Sequence, residues 1–149
     1  MKPGAKVLDV GSGSGYLTHV LAELVKPGGH VVGIDHIQPL VDMSLANVRK
    51  SAEGRSLLDS GAMAFFKGDG RMGWSALAPY DAIHVGACAK EAHQGLIDQL
   101  KAPGRMFIPI EERYGDQYIY VIDKDHNGNI TKTKEFGVRY VPLTDAPSA

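Results

Sequence analysis

Val7-Leu8-Asp9-Val10-Gly11-Ser12-Gly13-Ser14-Gly15 is the stretch on which the reading of this chain turns. A short apolar run that ends in a glycine cluster has the pattern of a buried strand stopping in a tight turn. Leu17, Val20, Leu21, Leu24 and Val25 follow at helical spacing, so the turn opens a helix with these five on its inner face. Pro27-Gly28-Gly29 stops that helix, and Val31-Val32-Gly33-Ile34 is a second buried strand ending at Asp35. Strand, glycine turn, helix and strand form a βαβ unit, in which glycines allow the backbone to approach a nucleotide closely.

The alternation continues downstream. Leu40, Val41, Leu45 and Val48 give a second helical face, residues 51–61 are polar and read as loop, and residues 63–66 form a third strand followed by Gly68-Asp69-Gly70. Pro79-Tyr80-Asp81 precedes a fourth strand at 82–85. Leu96, Ile97 and Leu100 mark another helix, stopped by Pro103-Gly104, and residues 106–108 are a fifth strand. The chain then changes character: an aromatic and β-branched run at 118–122, a polar turn at 123–129 and an extended stretch at 130–141 read as a hairpin. The expected architecture is α/β, a mainly parallel sheet flanked by helices with a C-terminal antiparallel hairpin, in a single domain over 1–149.

Composition bounds the partners. The 149 residues suit one domain, and 44% hydrophobic with 22% charged residues is ordinary for a globular chain. A formal net charge of −1 offers none of the concentrated positive surface that nucleic acid requires. No apolar stretch approaches the roughly 20 residues that span a bilayer, and the first residues lack a signal-peptide pattern. Cys88, the single cysteine, has no internal disulfide partner. A cytoplasmic monomer is therefore expected, with neither nucleic acid nor membrane as partner.

Three acids stand at three successive strand ends, where ligands bind in open α/β sheets: Asp9, Asp35 and Asp69. Asp35 lies twenty residues after Gly15, where an acid accepts hydrogen bonds from ribose hydroxyls; it can also cap the following helix. Asp69 can accept from an adenine amino group. The sixth position of the glycine fingerprint is Tyr16, which removes the close helix–strand packing of the dinucleotide motif. Asp9, just before the glycines, would repel a pyrophosphate and suit a cation. S-adenosylmethionine has a sulfonium and an ammonium and no phosphate, so electrostatics favour it over a nicotinamide dinucleotide. The other reading of Asp9 is a carboxylate tied up by the backbone N–H groups of the loop.

The stretch from Gly68 to Ile83, Gly-Asp-Gly-Arg-Met-Gly-Trp-Ser-Ala-Leu-Ala-Pro-Tyr-Asp-Ala-Ile, resembles the signature of the protein-L-isoaspartate (D-aspartate) O-methyltransferases. Gly33-Ile34-Asp35-His36, Ala82-Ile83-His84-Val85-Gly86-Ala87 and Tyr140-Val141-Pro142-Leu143-Thr144 resemble the same family, and the likeness runs from Lys2 to about Asp145. It implies that Ser14, Asp35, His36, Asp69 and Gly70 contact S-adenosylmethionine, with Thr144 closing the pocket from the far side; Asp9, Gly11 and Gly13 of the turn complete the site expected from the residues themselves. It further implies methylation of the carboxylate of L-isoaspartyl or D-aspartyl residues in damaged polypeptides, with S-adenosylhomocysteine as product. A carboxylate is already ionised at neutral pH, so no general base is expected. His84 is either a satisfied core histidine or a substrate contact.

Members of that family carry a substantial segment before the first strand, with a Ser/Thr-containing loop over the cofactor and much of the substrate cleft. This sequence lacks it, so no catalytic residue is assigned, and weaker cofactor binding and turnover are expected. The alternative is a non-catalytic cofactor-binding module of the same family. Asp123-Lys124-Asp125-His126-Asn127-Gly128 opens like a calcium loop, but Lys134 stands where the twelfth-position acid belongs, so a hairpin turn through Asn127-Gly128 is expected instead. The histidines show no pairing with Cys88 that would make a metal site.

Overall fold

The computed structural model describes residues 2–143. β1 (Lys6–Val10), β2 (His30–Asp35), β3 (Met63–Lys67), β4 (Tyr80–Val85) and β5 (Leu100–Glu111) pair in parallel, while β6 (Gln117–Lys124) and β7 (Ile130–Val138) add antiparallel strands. The order is β3-β2-β1-β4-β5-β6-β7. β1 and β4 lie side by side although a long stretch of chain separates them, which creates the switch point at which open α/β sheets bind ligands.

β1 and β2, in the middle of the parallel part, bury both faces, as parallel strands with helices around them must, whereas β7 at the antiparallel edge is exposed. On one face Val7, Val31, Met63 and Phe65 pack with Leu21, Ala22 and Val25 of α1 (Tyr16–Leu24) and its C-cap, Val41 and Val48 of α2 (Gln38–Val48), and Leu57 of α3 (Ala52–Asp59). On the other face Leu8, Val10, Ile34, Ile83, Met106, Ile108 and Ile122 pack with Leu96 and Ile97 of the short α4 (Gln94–Asp98). Each fully buried aliphatic side chain contributes roughly 1.5–3 kcal/mol.

Three local expectations are corrected. Residues 51–61 are not loop: α3 forms there because the Ser51 hydroxyl caps Gly54 N–H at 3.0 Å and Leu57 reaches the core, 3% exposed. Gly54 fits because its missing Cβ would stand 2.0 Å from the Val48 carbonyl oxygen. α1 is rotated from its expected face: Leu17 and Leu24 are 39% and 54% exposed, while Thr18 turns inward with Leu21, Ala22 and Val25. Leu100 and Pro103-Gly104 belong to β5 rather than to a helix and its stop. The hairpin turn forms as expected, with the Asp125 carboxylate accepting the N–H groups of Asn127 and Asn129 at 2.9 Å each and Gly128 at φ +84°.

Tyr80 begins β4 with no exposed surface, and its hydroxyl donates to the Trp74 carbonyl at 2.5 Å. Trp74 in turn stacks on Phe66, ring centroids 4.5 Å apart, which anchors the segment after β3. Burial pushes the Tyr80 hydroxyl up to about 12. A raised folded-state value means that the unfolded chain ionises first, so this contribution is whole below pH 10 and is lost as pH rises toward 12. The full window corresponds to about 3 kcal/mol. Tyr80→Phe is expected to cost about 1 kcal/mol at pH 8 through the lost hydrogen bond, yet to lose less stability than the parent between pH 8 and pH 11. Urea unfolding at the two pH values checks this, and equal alkaline losses would contradict it.

Candidate functional site

The turn after β1 is built from two sides. Gly11 and Ser12 N–H groups donate to the Ile34 carbonyl at 2.8 and 3.0 Å, which lays the loop across the end of β2. Gly13 N–H donates to Asp35 Oδ2 at 3.0 Å. From α2, the Ser44 hydroxyl donates to the Gly13 carbonyl at 2.7 Å and the Asn47 amide to the Ser14 carbonyl at 3.0 Å. Gly15 sits at φ +85°, and a Cβ there would meet Ser44 Cβ at 3.0 Å, so both conformation and space demand glycine. Ser14 is exposed at the outer side of the turn, its hydroxyl accepting only the Tyr16 N–H at 3.4 Å.

Asp35 ends β2 at 6% exposure. Its Oδ2 is taken by the loop, but Oδ1 has no hydrogen-bond partner among the described residues. His36 Nδ1 approaches Oδ1 at 3.3 Å without hydrogen-bond alignment. The Ser12 hydroxyl, equally buried, is likewise unsatisfied. Buried polar atoms without partners are costly, and a ligand seated at the glycine loop would supply the missing donor.

Asp9 behaves differently from both expectations. It is 1% exposed, and its oxygens are held by side chains: Thr18 Oγ1 donates to Oδ2 at 2.6 Å and His84 Nδ1 bonds Oδ1 at 3.0 Å. The loop N–H groups turn to β2 instead, and the carboxylate is not open at the pocket mouth.

Asp69, at the end of β3, is half-exposed and fully engaged. Arg71 donates to it from Nε at 3.0 Å and from Nη2 at 2.7 Å, and Arg71 N–H adds a third bond at 3.0 Å. The Arg71 guanidinium holds the Asp69 carboxyl below its usual range. An adenine amino group would share this carboxylate with Arg71. At Gly70 an added Cβ would fall 2.4 Å from Val10 Cγ1 and 2.8 Å from Leu143 Cδ1, so no larger residue fits without displacing them. Leu143 arrives there because the segment just after β4 bridges to the C-terminal segment: Cys88 N–H donates to the Val141 carbonyl and Leu143 N–H to the Cys88 carbonyl, both at 2.7 Å. Thr144 lies outside the described residues.

One end of the sheet therefore gathers Gly11, Gly13, Ser14, Asp35 and His36, with Asp69 and Gly70 at the next strand end. Sequence reading missed Thr18, Ser44, Asn47 and Leu143, which hold these groups in place. The polar Ser44 at an inner position of the apolar α2 face was the available signal. A cavity of about 730 Å³ lies at the opposite end of the sheet, between Lys2, Lys101, Arg105 and Phe107, away from these groups.

A parallel sheet of this order, with a glycine turn after β1 and a buried acid closing β2, defines a Rossmann-like S-adenosylmethionine-dependent methyltransferase fold. A Plasmodium falciparum chain described as a protein-L-isoaspartate O-methyltransferase, solved with S-adenosyl-L-homocysteine, superposes with a TM-score of 0.85 at 35% identity over 97% of this chain and 68% of that one. An O-methyltransferase from Thermotoga maritima shares the fold at 20% identity and a TM-score of 0.59, over 75% of this chain and 40% of that one. The chain belongs to the protein-L-isoaspartate(D-aspartate) O-methyltransferase family, whose model matches residues 1–148. It is 53% identical to protein-L-isoaspartate O-methyltransferase 2 of Arabidopsis thaliana over 97% of this chain and 46% of that protein. It is 49% identical to the Caenorhabditis elegans protein-L-isoaspartate O-methyltransferase, over 95% of this chain and 61% of that protein. The chain thus spans about half to three fifths of the length of these relatives.

Proposed function

We propose that this chain binds S-adenosylmethionine and takes part in methylating the carboxylate of L-isoaspartyl or D-aspartyl residues in polypeptides, the first step of their repair. The carrying observation is Asp35: a buried carboxylate with one oxygen fixed by the glycine turn and the other unsatisfied. In this reading Asp35 accepts hydrogen bonds from the ribose hydroxyls, with His36 beside it. Gly11, Gly13 and Ser14 let the backbone lie against the cofactor, and Asp69 and Gly70 bound the adenine. Asp9 supplies negative charge beneath the loop.

The cofactor, when bound, supplies an electrophilic methyl group on a sulfonium. The acceptor carboxylate is ionised at neutral pH and needs no base. The chain's contribution is to hold the reacting groups in line and to exclude water. No catalytic residue within the chain is assigned, and no metal is required. Family likeness supports the acceptor class, and net charge −1 supports neither nucleic acid nor an anionic membrane surface as partner. Among the described residues no helix is long and apolar enough to cross a membrane. A single-domain monomer acting in the cytoplasm accords with one buried, unpaired cysteine.

The test is methyl transfer from labelled S-adenosylmethionine to two peptides that differ only in an isoaspartyl or an aspartyl linkage. Label on the isoaspartyl peptide alone is expected. S-adenosylhomocysteine binding without transfer to either peptide would instead mean that the chain is a cofactor-binding module.

A further inference from the structure

Thr18, Asp9 and His84 form a chain of side chains that neither the glycine turn nor the acceptor chemistry uses. Asp9 is central and buried, its side chain 2% exposed, whereas the His84 side chain is 32% exposed. His84 and Asp9 are in-register neighbours on β4 and β1, and Thr18 reaches Asp9 from α1. Among the described residues, the imidazole meets the Asp9 carboxylate from β1, has uncharged Phe107 in register on β5, and lies near Gly86, whose added Cβ would be 3.5 Å from His84 Cε1. Thr18 on α1 faces the pair with a neutral hydroxyl. Asp9 is thus the ionisable group hydrogen-bonded to His84, and His84 is the member of the chain that exchanges protons with solvent.

We propose that His84, acting through Asp9, sets how strongly the site prefers the sulfonium cofactor over its thioether product. The proposal rests on the S-adenosylmethionine reading above. When His84 is neutral, the pair carries one negative charge at the end of β1, under the turn. When His84 is protonated, the pair is neutral. Water cannot screen a carboxylate this deeply buried, so its field reaches the neighbouring site. S-adenosylmethionine and S-adenosylhomocysteine share every group except the methyl and the positive charge on sulfur. The ratio of their affinities therefore isolates the interaction with that charge. Deprotonation of His84 favours the sulfonium form, and by linkage the sulfonium lowers the proton affinity of His84 by the same factor. His36 lies beside Asp35 on the ribose side in that reading, and both ligands carry the ribose, so its effect cancels in the ratio.

The experiment is calorimetric titration of both ligands at pH 5.5 and 8, with the parent chain and His84→Asn, whose amide donates toward Asp9 without titrating. In the parent, the preference for S-adenosylmethionine is expected to rise about tenfold with pH, within the usual range of coupling between two sites, and in His84→Asn to stay constant. The proton signal of His84 in the parent, followed by NMR, is expected to titrate at lower pH with S-adenosylmethionine than with S-adenosylhomocysteine, a readout independent of how well the variant folds. A pH-invariant ratio in the parent, or identical titration of His84 in the two complexes, overturns the proposal and leaves the cofactor reading standing. Failure of both ligands to bind overturns the cofactor reading and the proposal with it.

Discussion

Asp35→Ala is expected to raise the dissociation constant for S-adenosylmethionine at least a hundredfold while the chain still folds. Among the described residues Asp35 Oδ1 is a buried acceptor with no hydrogen-bond partner. Two ribose hydroxyls bonded to an ionised carboxylate are worth about 1.5–3 kcal/mol each, and every 1.4 kcal/mol is about tenfold in affinity. The variant also strips Gly13 N–H of its acceptor, which costs about 1–3 kcal/mol of stability, within the margin of a typical domain. Isothermal titration calorimetry with S-adenosylhomocysteine and S-adenosylmethionine measures the first effect, and a thermal melt without ligand measures the second. A change under about fivefold would remove Asp35 from the ribose role, because neither hydrogen bond could then be made there.

Asp9→Ala acts on the fold more than on contacts with a ligand. It leaves the Thr18 hydroxyl, on a residue with no exposed surface, and the inner nitrogen of His84 without their acceptor. Orphaning two donors of a buried carboxylate costs about 3–5 kcal/mol. Urea denaturation at pH 7 is expected to show that loss, and Asp9→Asn about half of it, since an amide oxygen still accepts from one donor. A loss under about 1 kcal/mol for the alanine variant would mean that Thr18 and His84 find other partners readily, for instance a helical carbonyl one turn back for the threonine.

The two variants separate what kind of acid each position holds. Asp9 and Asp35 look alike in the sequence, each ending an apolar run at the mouth of a turn. Yet Asp9 is saturated by side chains and Asp35 is half-free. Spacing from the glycines placed Asp35 beside the turn, where the structure has it, because a carboxylate at the end of the second strand of a βαβ unit has little choice of surroundings. Asp9 was ambiguous, since its partners Thr18 and His84 lie nine and seventy-five residues away. The third acid, Asp69, stood in the expected place, but Arg71 two residues on occupies it, a local pairing that the Asp-Gly-Arg order itself could have suggested.

Period and punctuation in the sequence determined the architecture: apolar runs of four or five, glycine and proline stops, and a late switch to β-branched alternation allow little besides a wound parallel sheet with a terminal hairpin. They also determined which strand ends carry acids and where glycine is needed, since backbone conformation and short-range sterics are local. The tertiary structure alone decided how α1 is turned about its axis, that residues 52–59 are helical, and that Ser44 and Asn47 clamp the turn from α2. It alone brought Leu143 against Gly70 and His84 against Asp9. Those outcomes rest on packing between segments far apart in the chain, where the burial of one face or the pairing of one carboxylate is settled by the neighbours that the fold supplies and by no pattern within the segment itself.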